Sequence, residues 1–201
     1  MTLPPPLILA SGSASRAALL SAAGVAFEAL PARIDEAAVK ESLLAEGAPA
    51  RDIAATLAEL KARRGAARLS GRLVLGADQV LVCDGRLYDK PDSLDEAALH
   101  LRSLRGRTHQ LLSAAVVCEN GEPVWRHVGQ ARLTMRPFSD DFLDEYIARE
   151  GEALLATVGA YRLEGLGAQL FSRVEGDYFS ILGLPLLELL GFLRARRICI
   201  E

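Results

Sequence analysis

Leu73-Val74-Leu75-Gly76-Ala77-Asp78-Gln79-Val80-Leu81-Val82-Cys83-Asp84-Gly85-Arg86-Leu87-Tyr88-Asp89-Lys90-Pro91 is the stretch that decides the fold. Residues 73–75 read as a buried strand that runs into Gly76-Ala77-Asp78 and continues over 79–83. Asp84-Gly85 signals a hairpin, because a type I′ turn needs positive φ at both central residues. Lys90-Pro91 closes the hairpin. A helix follows, opened by a capping box between Ser93 and Glu96.

Upstream, residues 7–10 form a short apolar run after three prolines and read as another buried strand. Ser11-Gly12-Ser13 breaks it, and Ser13 caps a helix over 14–23 that Gly24 ends. Residues 25–30 read as a strand and 38–46 as a helix. Asp52 is expected to cap a longer helix reaching about residue 69, with Ile53, Leu57 and Leu60 on one face. Downstream, 109–118 and 124–136 alternate as long strands, with Asn120-Gly121 as a second hairpin turn. Ser139 caps a helix through 149. A glycine-punctuated stretch over 159–178 holds a strand near 168–174, and 184–197 is a final helix. Strands and helices alternate, with hairpins inserted. The expected class is α/β with a mixed sheet, in a single domain over residues 1–201.

Half of the 201 residues are apolar, enough for a sizeable core. The net charge of −3 gives no global positive field to recruit nucleic acid or a membrane surface. Cys83, Cys118 and Cys199 are scattered and form no CxxC pair, which argues against a disulfide framework or zinc site and for a reducing compartment. The first residues lack a basic n-region, and no run approaches the roughly 18 apolar residues of a membrane span. A cytoplasmic protein is expected.

Polar residues collect where the apolar runs break. Ser-Gly-Ser before a helix N-terminus offers backbone N–H groups, two hydroxyls and the positive end of a helix dipole, and Arg16 adds a fork for phosphate oxygens. The bland reading is an N-cap beside a surface arginine. The full GxxxxGK[ST] loop is absent, so this is not a standard ATPase. Asp78, at the end of a buried run, is costly unless paired or metal-bound. It suits Mg²⁺ or Mn²⁺, or work as a general base on water. Lys61 on its helix and Lys90 before Pro91 read singly as solvated lysines. Glu36, with Asp35, either holds a metal or caps a helix. His100, His109 and His127 have no metal spacing, and His109 reads as structural. No GxSxG elbow supports a serine hydrolase.

Together these segments resemble the Maf family of nucleoside triphosphate pyrophosphatases, over essentially the whole chain. Residues 9–16, Leu-Ala-Ser-Gly-Ser-Ala-Ser-Arg, resemble its LASxSPRR motif, with Leu19-Leu20 and Gly24 following. Asp35-Glu36, Lys61-Ala62, Gly76-Ala77-Asp78-Gln79-Val80 and Asp84-Gly85 with Lys90-Pro91 resemble successive family motifs. So do Gly106-Arg107-Thr108-His109, Gly159-Ala160-Tyr161 through Gly165, and Gly176-Asp177-Tyr178 with Gly183-Leu184-Pro185-Leu186. The resemblance implies a strongly twisted mixed sheet with helices on both faces and two lobes around a central cleft. It implies that water attacks the α-phosphorus of a nucleoside triphosphate, releasing pyrophosphate. Asp78 would accept the proton and share Mg²⁺ or Mn²⁺ with Glu36. Arg16, Lys61 and Lys90 would neutralise the phosphates, with Ser11, Ser13 and their loop adding hydrogen bonds. A homodimer is also expected. The family's association with cell-division arrest leaves a nucleotide-sensing role as an alternative.

Three positions separate the family's subgroups. A group acting on dTTP and UTP carries Arg, Thr and Gln, and a group acting on 7-methyl-GTP carries Trp, Gln and Glu. Here they are Ser15, Gln79 and Glu164, so two of the three resemble the 7-methyl-GTP group. A carboxylate suits the paired N–H donors of guanine. Ala14 replaces the motif proline, Ser15 matches neither subgroup, and Gly-Ala-Tyr with Gly-Asp-Tyr resembles the pyrimidine group.

Overall fold

The structure is a computed structural model that describes residues 6–199. Pro4 and Pro5 of the opening proline run lie outside them. In chain order the elements are β1 Leu7–Leu9, α1 Ala14–Ala22, β2 Phe27–Ala29, α2 Glu36–Ala45 and α3 Ala50–Ala66. There follow β3 Leu73–Cys83, β4 Arg86–Tyr88, α4 Leu94–Leu104, β5 Thr108–Glu119, β6 Glu122–Met135 and α5 Asp140–Glu150. Three 3₁₀ turns lead to β7 Phe171–Glu175, α6 Tyr178–Ile181 and α7 Leu186–Ala195. The strands hydrogen-bond in the order β2-β1-β3-β5-β6-β7, and β4 pairs with β3. β1 is parallel to β2 and β3, whereas β4 and β7 join antiparallel. The sheet is therefore mixed, as the alternation of elements implies. No helix among the described residues is long and apolar enough to cross a membrane.

The chain divides into two compact units. The first comprises Met1–Asp78, Ser113–Gly129 and Gly183–Glu201. Leu7, Ile8 and Leu9 of β1 are buried on both faces, as a central parallel strand requires. Ser13 caps α1. Asp52 does not cap α3, which starts two residues earlier, after Pro49. Ala50 and Arg51 are good helix formers, and Asp52 instead places its charge in the first turn, against the helix dipole. Asn120 and Gly121, at φ 51° and 83°, make the type I′ geometry expected between β5 and β6.

The second unit comprises Gln79–Leu112 and Gln130–Leu182. Its core gathers Leu81, Leu101, Leu104, Leu133, Tyr146 and Leu170, among others. Asp84 and Gly85 take φ 48° and 79° at the β3–β4 turn. Ser93 caps α4, but the reciprocal arm of the capping box shifts by one residue: Glu96 accepts from the Asp92 N–H at 2.7 Å. The strand expected near 168–174 begins only at Phe171, because Leu166–Leu170 is coiled as a 3₁₀ turn.

Candidate active site

β3 runs unbroken through eleven residues, so Asp78 lies in mid-strand and not at a strand end. It is 6 % exposed. What reaches it is decided by Gly76. A Cβ there would meet the Ala58 carbonyl oxygen and lie 2.5 Å from the Ala62 nitrogen, both on α3. The missing side chain lets α3 lie directly on β3, along a track of buried Ala54, Ala58 and Ala62. Lys61 is thereby buried, at 7 % exposure. Its Nζ donates to Asp78 Oδ1 at 2.7 Å and lies 3.0 Å from Glu36 Oε2. A charge-assisted contact of this length, removed from solvent, is among the stronger polar interactions a protein makes. The other carboxylate oxygen, Asp78 Oδ2, is buried and takes no hydrogen bond from the protein.

Asp35 and Glu36 separate in role. Asp35 caps α2, its Oδ1 accepting from the Ala38 N–H at 3.0 Å. Glu36, the first helical residue, turns to Lys61. Lys61 is thus one cation shared by two carboxylates.

The opening loop closes on the same unit. Ser13 Oγ accepts from the Arg16 N–H as the α1 cap. Ser11 Oγ accepts from the Ser13 N–H at 3.2 Å and from Arg16 Nη1 at 3.0 Å. Arg16 donates further from Nη1 to the Ala77 carbonyl at 3.0 Å and from Nε to the Gly183 carbonyl at 2.8 Å. It is 8 % exposed, and that burial lowers the guanidinium pKa, while the Asp78 and Glu36 charges raise it again. Of five N–H donors, three are occupied by protein, which leaves the pair on Nη2. Ser15, half-buried in the first turn of α1, follows on the same helix. The structure therefore brings Ser11, Arg16, Glu36, Lys61 and Asp78 into one bonded and electrostatically coupled set within the first unit.

Lys90, Gln79 and Glu164 belong to the second unit. Lys90 is exposed between β4 and α4, before the buried Pro91. Gln79 is half-buried and donates to the Ser180 and Ile181 carbonyls of α6. Glu164 is no isolated loop acid: Oε1 lies 3.3 Å from Arg162 Nε, and Arg162 also reaches Glu150. His109 is structural, as its sequence context indicates. Its Nε2 lies 2.8 Å from Tyr161 Oη, and burial lowers its pKa to about 4. Among the described residues no group of three or more His, Cys, Asp or Glu clusters as a metal site.

A family model described as Maf-like protein matches residues 6–196. The chain belongs to the Maf family. A nucleoside triphosphate pyrophosphatase of Ruegeria pomeroyi is 56% identical over 191 residues, covering 95% of this chain and 96% of the relative. A nucleoside triphosphate pyrophosphatase of Caulobacter vibrioides is 57% identical over 189 residues, 94% of each. A 7-methyl-GTP pyrophosphatase of Rhizobium meliloti is 56% identical over 190 residues, covering 94% of this chain and 96% of the relative.

In this Maf chain the backbone contributions were the part hidden from sequence. The Ala77 and Gly183 carbonyls orient Arg16, and Gly76 sets the distance between α3 and β3. Gly-Ala-Asp held the available signal, since a glycine two residues before a buried acid marks a close backbone approach.

Proposed function

We propose that the chain hydrolyses 7-methyl-GTP to 7-methyl-GMP and pyrophosphate. The enzyme is a hydrolase, a nucleoside triphosphate pyrophosphatase of the Maf family. The observation that carries the mechanism is the buried Asp78, held through one oxygen by Lys61 while the other takes no hydrogen bond from the protein.

In this reading a water oxygen bonds to the α-phosphorus as the bond from that phosphorus to the α,β-bridging oxygen breaks. Pyrophosphate leaves with the electron pair, and Asp78 takes the proton of the attacking water. Lys61 keeps Asp78 ionised and oriented for that role. The Nη2 donors of Arg16 suit phosphate oxygens, and the serine loop fixes the arginine fork in place. Ser11 and Ser13 act mainly by holding that loop, since both hydroxyls already accept hydrogen bonds. Lys90 is assigned as a further cation for the phosphates on the strength of its motif. Placed charge and an aligned water are most of what phosphoryl chemistry requires.

A divalent cation fits the residues present. Asp78 Oδ2 is a hard oxygen donor that no protein hydrogen bond occupies, and Glu36 supplies the second carboxylate. Mg²⁺ commonly takes only one or two carboxylates and fills its shell with water and substrate phosphate, so a third acid is not needed. Bound there, Mg²⁺ or Mn²⁺ would neutralise charge building on the phosphate oxygens.

The base assignment rests on Gln79, Glu164 and the R. meliloti relative's name. Hydrolysis of dTTP or UTP is the second reading. It is favoured by the Gly159-Ala160-Tyr161 and Gly176-Asp177-Tyr178 segments, and by the Arg162 partner that shares the Glu164 carboxylate. Pyrophosphate release from 7-methyl-GTP, GTP, UTP, dTTP and pseudo-UTP, each with Mg²⁺ or Mn²⁺, separates the two. The proposal expects 7-methyl-GTP to lead in kcat/KM, and UTP or dTTP in front would replace it. We assign the enzyme to the cytoplasm, consistent with three cysteines that form no disulfide.

A further inference from the structure

Gln79 follows Asp78 on β3, yet its side chain is already engaged. Nε2 donates to the Ser180 carbonyl at 3.1 Å and to the Ile181 carbonyl at 3.0 Å. A side-chain amide carries two N–H donors, so both are used on α6. The acceptors are the last carbonyls of that helix, which has no following turn to satisfy them.

The other end of α6 is held as firmly. Asp177 is its N-cap, with Oδ2 accepting from the Ser180 N–H at 2.7 Å. Gly176 precedes it at φ 119°, and a Cβ there would lie 2.8 Å from Ala131 Cα and from the Gln130 carbonyl. The backbone is pressed against β6, and Ser180 and Ile181 are buried. What this clamp steadies is an aromatic pair. Tyr178 is 47 % exposed, and Phe179 meets it edge-on at 6.0 Å. A purine methylated at N7 carries a delocalised positive charge, which an aromatic face attracts.

We propose that Gln79 is a positioning residue that governs base choice by clamping α6, and does not hand its amide N–H groups to the base. Turning Nε2 toward a ligand would strip two carbonyls of their partners at once, a penalty no single base contact offsets. A threonine at this position has one short donor and reaches neither carbonyl from the same backbone. This inference rests on the base selection proposed above.

The test uses Gln79→Glu, Asp177→Ala and their combination in the full chain. Gln79→Glu keeps the shape and the acceptors and removes both donors. Two quantities are read: hydrogen exchange at the Ile181 and Leu182 amides, and the ratio of kcat/KM for 7-methyl-GTP over UTP. Both single variants should speed exchange in α6 and lower the ratio by about tenfold. The double variant should lie no lower than the worse single, because both act through one element. Unchanged exchange in Gln79→Glu overturns the clamp. A ratio that moves with Gln79→Glu but stays within about twofold in Asp177→Ala, a difference smaller than one displaced contact, shows direct reading by Gln79 and also overturns it. Glu164→Gln separates the two levels: if it leaves the ratio unchanged, the base-selection reading fails, and the exchange measurement still judges the clamp.

Discussion

Lys61 Nζ and Asp78 Oδ1 lie 2.7 Å apart, although 17 residues separate them in the chain and neither is a tenth exposed. A lysine does not enter an alanine-rich interface for its own stability. It is there because the carboxylate is, and the carboxylate is there because β3 carries it between buried apolar neighbours.

Lys61→Met should be costly for that reason. It leaves the Asp78 carboxylate buried without its hydrogen-bonded cation, a loss of about 3–5 kcal/mol. Adding Asp78→Asn to the same chain should return much of the stability, since the unpaired charge is then gone. Glu36→Gln should cost less than about 1 kcal/mol, because the Glu36 side chain is 46% exposed and solvent replaces its pairing. Urea denaturation of the four chains checks the order. A double variant as weak as Lys61→Met contradicts it.

Gly76→Ala tests whether close approach of α3 to β3 builds the site. The added methyl meets the Ala58 carbonyl and the Ala62 nitrogen, both backbone atoms that cannot rotate away. Overpacking of this kind costs about 1–3 kcal/mol, and lifting α3 also draws Lys61 off Asp78. The melting temperature and kcat should fall together. Loss of stability with wild-type turnover would show that the spacing does not matter to the chemistry.

Much of the local structure was legible because its causes are local. Ser13, Ser93 and Ser139 cap the helices that follow them, and Asp84-Gly85 and Asn120-Gly121 make the two hairpins. Asp78 stood out because an acid in an apolar run needs a reason. Lys61 did not, since a lysine among alanines and arginines reads as solvated until its helix is placed. The signal lay in the neighbours: Ala54, Ala58 and Ala62 recur at helical spacing opposite Gly76, and small residues on both sides permit backbone contact. Asp52 failed as a cap because Pro49 and Ala50 began the helix earlier. The partners of Arg16 are carbonyls, which no side-chain motif announces.

His109 makes stability depend on pH with a definite sign. Burial lowers its pKa to about 4, against about 6.5 in an unfolded chain. Above pH 6.5 neither state is protonated and the contribution is complete. As pH falls from 6.5 toward 4 the unfolded chain takes the proton first, and about 3 kcal/mol of stability is lost across that window. Urea midpoints at pH 7 and about pH 5 should therefore differ more for the wild type than for His109→Gln. Equal differences in the two chains would contradict the burial of a neutral imidazole.

The site of attack can be read from the products. Hydrolysis in water enriched in the heavy oxygen isotope should place the label in the nucleoside monophosphate and leave the pyrophosphate unlabelled. Label in the pyrophosphate would mean attack at the β-phosphorus and a different alignment of the water.

The most direct measurement compares kcat for pyrophosphate release by the wild type and by Asp78→Asn, on the best triphosphate substrate with its metal saturating. If Asp78 is the base, kcat falls by about 10²–10⁴-fold while KM stays within a few-fold. An asparagine variant that turns over at the wild-type rate contradicts the assignment of Asp78.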